Sequence, residues 1–187
     1  MNGLIEYFSG GTVLTEQARQ DLLDSTKVKS FRKGTSLLKE GHVAQYLYFI
    51  EEGLLKLSFT RNGKEFIMRF FPENSLCTGL DSFLTKTRSG YGLVALETTM
   101  VHYISHRDID HLCRKHHCVE TAFRQFLGMA SVNMMARVSE MLEEDAIRRY
   151  ENFLQQNSSL LQRISLGDLS GYLGIAQVSL SRIRAKR

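Results

Sequence analysis

The chain of 187 residues is 43% hydrophobic and 24% charged, with one proline, the balance of a globular protein rather than a disordered or collagen-like one, and its length has room for one large domain and a smaller one. No apolar run approaches the ~20 residues of a bilayer crossing and no basic, then apolar leader opens the chain, so a cytoplasmic protein without a membrane partner is expected; Cys77, Cys113 and Cys118, odd in number and without a C-x-x-C spacing, argue against a disulfide framework or a four-cysteine cluster. The formal charge of +4 lies wholly within residues 158–187, where Arg163, Arg182, Arg184, Lys186 and Arg187 stand against Asp168 alone, a concentration that suits phosphate binding as well as solubility.

From Val28 to Ile104 short stretches of strand character alternate with glycine turns: VKSFRKG, TSLLKEG, YLYFIEEG, LLKLSFTRNGKEFIMRFF and LVALETTMVHYI. Leu55, Leu57 and Phe59 alternate with Lys56, Ser58 and Thr60, the pattern of a half-buried strand with one wet face. Asn62-Gly63 supplies the positive φ angles of a tight hairpin. Many short strands joined this way predict an antiparallel barrel or sandwich.

After Ser105 the period changes. Ser105 and Asp108 are spaced as a capping box for a short helix, and a longer helical pattern runs from Val119 to Leu142. This second helix carries two apolar stripes. Leu127, Ala130, Met134, Val138 and Met141 form one, expected against the β block; Val132, Met135, Ser139 and Leu142, spaced three and four apart as in a coiled-coil seam, form the other, expected to meet a second copy of the chain. Glu143 to Asp145 interrupt the stripes, Asp145 caps a helix expected through Phe153, and residues 155–159 are a polar turn.

In ISLGDLSGYLGIAQVSLSRIRAKR, Ser165 and Asp168 make another capping box and start a helix at Leu166. Leu169 and Leu173 face inward, Gly174 ends the helix in a left-handed conformation, Ile175 plugs the turn, and Leu180 with Ile183 forms the inner face of a following helix, with Ser170 small at the approach of the two. The outward face of the second helix is free of carboxylates and shows Gln177, Val178, Ser179, Ser181 and Arg182, followed by Lys186, side chains that reach base edges or phosphates. The pattern is that of a helix-turn-helix.

Other chemistry finds less support. His102, His106, His111, Cys113, His116, His117 and Cys118 crowd seventeen consecutive positions. Imidazole and thiolate are metal ligands, which makes a metal or redox sensor a rival reading, yet the spacing fits no finger or ribbon and no metal site is assigned. There is no G-x-S-x-G, P-loop or H-E-x-x-H, and no paired acid and base; the chain is not expected to be an enzyme.

Lys33-Gly34, Leu37, Glu40-Gly41, Tyr48-Phe49-Ile50, Gly53, Gly63, Pro72, Ile104-Ser105 and LGDLSGYLGIAQVSLSRIR together resemble the cyclic-AMP receptor protein and FNR superfamily of bacterial transcription regulators, over Leu14 to Arg187. The resemblance implies an α+β fold: an antiparallel β-roll (jelly-roll, cyclic-nucleotide-binding-like) over residues 1–117, a long central dimerisation helix over 118–144 and a helix-turn-helix DNA-binding domain over 145–187. It also implies a homodimer on double-stranded, inverted-repeat DNA, with RNA polymerase a further candidate partner. The family's phosphate cassette aligns with LCTGLDSFLTKTRSGYGLVALE, its Gly-Glu pair falling on Thr78-Gly79 and its Arg-Ser pair on Ser89-Gly90, with Arg88 one residue away. The polar pair of the central helix falls on Met134 and Met135. The ligand-pocket candidates are thus Thr78, Gly79, Leu80, Arg88, Ser89, Gly90, Met134 and Met135, and the loss of the family's contacts leads us to expect no cyclic AMP cofactor, with a non-nucleotide small molecule or a metal as the alternative effector. An N-terminal cysteine cluster like that of the oxygen-sensing branch is absent, and the β-wing after the recognition helix is expected to be short or missing.

Overall fold

Asn62 and Gly63 adopt φ angles of 52° and 73° and close the hairpin between β4 (Leu55–Arg61) and β5 (Lys64–Phe71), as the residue types require. The computed structural model describes residues 3–185. Around that hairpin lie β1 (Lys27–Phe31), β2 (Ser36–Leu38), β3 (Tyr46–Glu52), β6 (Leu76–Cys77), β7 (Gly92–Ala95) and β8 (Thr99–Ser105). They form two four-stranded sheets, ordered β1-β8-β3-β6 and β2-β7-β4-β5, antiparallel throughout. Leu47, Phe49, Ile50, Leu55, Leu93, Val101 and Ile104 fill the space between them. This is the expected β-roll.

Two helices precede the roll where no element was read: α1 (Gly3–Ser9) and α2 (Glu16–Ser25). Thr15 caps α2 by accepting from Ala18 N at 3.2 Å, and Leu4, Ile5, Phe8, Ala18 and Leu22 join the main core. The Thr15 cap and the i, i+4 pairs Leu4–Phe8 and Ala18–Leu22 were available signals.

Between β6 and β7 sits α3 (Leu80–Thr85), and after β8 come α4 (His106–Lys115) and the 27-residue α5 (His117–Glu143). Ser105 accepts from Asp108 N at 3.1 Å, so the expected cap opens α4. Val119, Ala122 and Phe126 of α5 are buried against the roll. Further along, the inward stripe differs from the expected one. Asn133, Arg137 and Glu140 are half-buried while Val138 and Met141 are 48% and 39% exposed. The apolar count favoured Val138 and Met141, but this part of the helix borders a cavity and the helices that follow it, and there Arg137 and Glu140 find partners.

Asp145 accepts from Arg148 N at 2.9 Å and opens α6 (Ala146–Gln156). A 3-10 turn, Ser158–Leu160, leads to α7 (Leu166–Leu173) and α8 (Gln177–Ala185). Tyr150, Phe153, Leu160, Leu169, Leu173 and Leu180 make a second core together with Leu54, Ile67 and Phe70 of the roll. The outer face of the β4–β5 hairpin is therefore covered rather than wet. Lys56, expected in solvent, keeps a side chain only 12% exposed, 2.7 Å from Asp168 of α7 and 2.8 Å from Glu65. No helix of the described residues is long and apolar enough to cross a membrane.

Candidate functional site

The helix pair at the end of the chain is set by backbone chemistry readable in its sequence. Ser165 accepts from Asp168 N at 3.0 Å while Asp168 accepts from Ser165 N at 3.1 Å, a complete capping box. Gly174 has φ 71° and caps α7 in the left-handed region, its N–H donating to Ser170 O. Leu173 and Leu180 are fully buried, and Ile175 and Ile183 pack around them. Ser170, 6% exposed, donates to Gly167 O at 2.9 Å. A close approach of the α7 backbone to the roll is made by Gly171, which the sequence reading passed over: a Cβ there would lie 3.2 Å from Glu65 O of β5.

This framework leaves one side of α8 open. Gln177, Val178, Ser179, Ser181, Arg182 and Arg184 are all exposed, Val178 by 63%. Gln177, Val178, Ser181 and Arg182 stand at i, i+1, i+4 and i+5 and share a face. Lys186 lies outside the described residues. Arg163 does not belong to this surface, although its charge was counted with the C-terminal excess: it pairs with Glu73 at 2.6 Å and Glu97 at 2.5 Å on the roll. Those carboxylates could not be foreseen from local sequence, since they are 90 and 66 positions away.

A cavity of about 450 Å³ lies between the roll and α5. Thr78, Leu80 and Met134 line it, as do Arg69, Asp81, Asn133 and Arg137, which sequence reasoning missed. Asn133, Arg137 and Glu140, spaced four and three apart on an apolar helix, were the available signal for that part of the wall. Of the other expected pocket residues, Gly79 lines a smaller hollow of about 240 Å³ beside Thr78. Arg88, Ser89, Gly90 and Met135 are not part of the cavity wall. Arg88 is exposed on the turn after α3, and Met135, 71% exposed, points away from the roll.

Ser89 and Gly90, both pocket candidates, are already engaged. The Ser89 hydroxyl, 2% exposed as a residue, donates to the Asp81 carboxylate at 2.9 Å and 3.1 Å, and Gly90 N donates to it at 2.8 Å. Burial pushes the Cys77 thiol at the cavity wall far above its usual range, which leaves it a neutral apolar group.

The histidine-rich stretch disperses in space. His102 is buried in β8 with Nε2 2.7 Å from Glu51, His106 contacts Lys86, His116 lies 2.7 Å from Asp21, and His117 is at the surface. Burial, with Lys86 beside it, lowers the His106 pKa, and burial raises Cys113 to about 11. Among the described residues no three His, Cys, Asp or Glu side chains are grouped to hold a metal ion.

Residues 28–116 match the family of the cyclic nucleotide-binding domain. The fold is that of regulators of the crp/fnr type. FixK2 from Bradyrhizobium japonicum superposes with a TM-score of 0.77 at 16% identity, covering 86% of this chain and 83% of that one. A putative transcriptional regulator of the crp/fnr family from Eubacterium rectale gives 0.75 at 14% identity, over 95% and 85%. The c-di-GMP responsive regulator CLP of Xanthomonas campestris gives 0.72 at 14%, over 92% and 91%. Among curated proteins no sequence matches the chain.

Proposed function

We propose that this chain is a DNA-binding transcription regulator that acts as a homodimer and reads an inverted repeat with α8. The observation that carries the proposal is the outer face of α8: it is exposed, holds Arg182 and Arg184 and no carboxylate, and stands on a helix-turn-helix whose capping box and left-handed glycine are complete. The fold likeness to crp/fnr regulators supports it. In this reading residues 1–117 are a sensory unit, 118–144 the dimerisation helix and 145–187 the DNA-binding unit, and no catalytic step is assigned.

The dimer is proposed along Val132, Met135, Ser139 and Leu142. Val132, Met135 and Leu142 are 57%, 71% and 81% exposed in a single chain, an apolar seam at coiled-coil spacing with no partner from its own roll. A two-fold axis along that seam places two recognition helices about one duplex turn, ~34 Å, apart. The effector is proposed to be something other than a cyclic nucleotide, because Asp81 already occupies Ser89 and Gly90, where the resemblance places the phosphate.

The test is selection of a duplex from a random library by the purified protein, followed by titration of Arg182→Ala. A bidentate arginine–guanine contact discriminates by ~1 to 3 kcal/mol, so the variant is expected to lose preference at one base pair of each half-site. Enrichment of no symmetric sequence, or equal affinity of wild type and variant for the selected one, refutes the reading.

A further inference from the structure

We infer that the cavity takes an apolar molecule bearing one acidic group, and that Arg137 is the positioning residue through which its occupancy reaches the helix-turn-helix. The consequence for DNA rests on the regulator reading above; the binding itself does not.

The cavity is of a size that encloses small ligands, and Leu57, Met68, Phe71, Leu76, Phe126 and Met134 give it an apolar body. Its charged groups are unequal in what they still lack. Asp81 has Ser89 and Gly90 as donors. Arg69 lines the cavity with no carboxylate partner among the described residues, its guanidinium 5.5 Å from the centre of the Phe71 ring. A second guanidinium, that of Arg137, is on the same wall system, with its side chain 11% exposed. Both guanidinium-bearing side chains stand on the wall of this one cavity. An anion there meets one unpaired and one shared guanidinium, each able to grip a carboxylate through two N–H groups.

Arg137 is shared with the DNA-binding unit. It pairs with Glu140, donates to the backbone oxygen of Tyr172 near the end of α7, and lies 3.8 Å from the centre of the Tyr172 ring. That ring in turn packs against Phe70 of β5 at 5.5 Å and Phe153 of α6 at 5.1 Å between centroids. An acid in the cavity competes with the Tyr172 carbonyl for the same N–H groups, and a charged acceptor outbids a neutral one. Occupancy is thereby converted into a weaker hold of α5 on α7.

The probe is decanoate, with decan-1-ol as its uncharged counterpart, titrated calorimetrically into the full chain without DNA. Decanoate is expected to bind at least about tenfold more tightly than the alcohol, the scale of one charge-assisted contact, and Arg69→Gln to reduce that preference severalfold. Hydrogen exchange of the 166–173 amides is expected to accelerate severalfold when decanoate is saturating. Arg137→Gln should accelerate it without ligand, and Arg137→Lys, which keeps the charge but not the fork, should fall between. No binding of decanoate, equal binding of acid and alcohol, or a preference undiminished in Arg69→Gln overturns the ligand class. Unchanged exchange in α7 with decanoate bound overturns the relay. Loss of operator selection with acid binding intact would refute the regulator reading alone.

Discussion

Arg163→Gln tests whether the C-terminal helices are fastened to the roll by charge as well as by apolar contact. The guanidinium gives two bonds to Glu73, at 2.9 Å and 2.6 Å, and reaches Glu97 at 2.5 Å and 3.4 Å. Arg163 is the main cause of a Glu73 pKa lowered from 4.5 to about 2, with burial opposing and the Gly53 N–H assisting. Taken whole, such a shift corresponds to about 3 kcal/mol at ~1.4 kcal/mol per unit. The Glu73 side chain is 35% exposed, so solvent screening reduces the figure to about 1 to 2 kcal/mol. With a urea m-value of about 2 to 3 kcal/mol/M, the unfolding midpoint followed by circular dichroism should fall by about 0.5 M at neutral pH. Because the folded-state pKa lies below the unfolded one, this stabilisation is complete above about pH 5 and is lost as pH falls toward 2, to under half by about pH 3. The gap between wild type and variant must close over that window. Equal midpoints at neutral pH, or a gap that persists undiminished at about pH 3, refutes the reasoning.

Met135→Glu places a charge in the proposed dimer seam at a position 71% exposed in the single chain, so it should leave the fold intact and dissociate the dimer; a variant that sediments as a dimer moves the interface elsewhere. Cyclic AMP should bind no tighter than about 1 mM, because its phosphate would face the Asp81 carboxylate held by Ser89 and Gly90; saturable binding at or below about 10 µM by calorimetry would show the pocket assignment to be wrong. Gly174→Ala forces a Cβ into the left-handed region at φ 71° and should cost about 1 kcal/mol of stability; a melting temperature equal to wild type would mean that the turn has relaxed.

The helix-turn-helix was legible almost residue by residue because its determinants are local. Caps at Ser165, Asp145 and Ser105, the Gly174 terminator and the Asn62-Gly63 turn each act within four positions, and all stand where the sequence puts them. What the sequence hid depends on partners far along the chain. Lys56 and Ser58 read as a wet face, but Lys56 meets Asp168, which lies 112 positions on. The cassette hid its own contacts although they are nearer: Ser89 and Gly90 counted among the pocket candidates, and no rule of spacing said that Asp81 of the same segment would engage both.

The β4–β5 hairpin shows how a local irregularity joins the two sites. Strict alternation along FIMRFF would send Ile67, Arg69 and Phe71 to one face and Met68 and Phe70 to the other. The ladder slips instead: Leu57 pairs with Arg69 and the next residue, Ser58, with Ile67, so Met68 is the extra residue of a bulge. As a result Ile67 and Phe70 both turn to the second core, beneath α6 and α7, while Met68, Arg69 and Phe71 turn to the cavity. A regular strand would have sent Arg69 with Ile67 toward α7, where an unpaired charge would be buried against Leu169 and Leu173. The bulge thus places the unpaired cation on the cavity side and the apolar anchors on the α7 side of one strand.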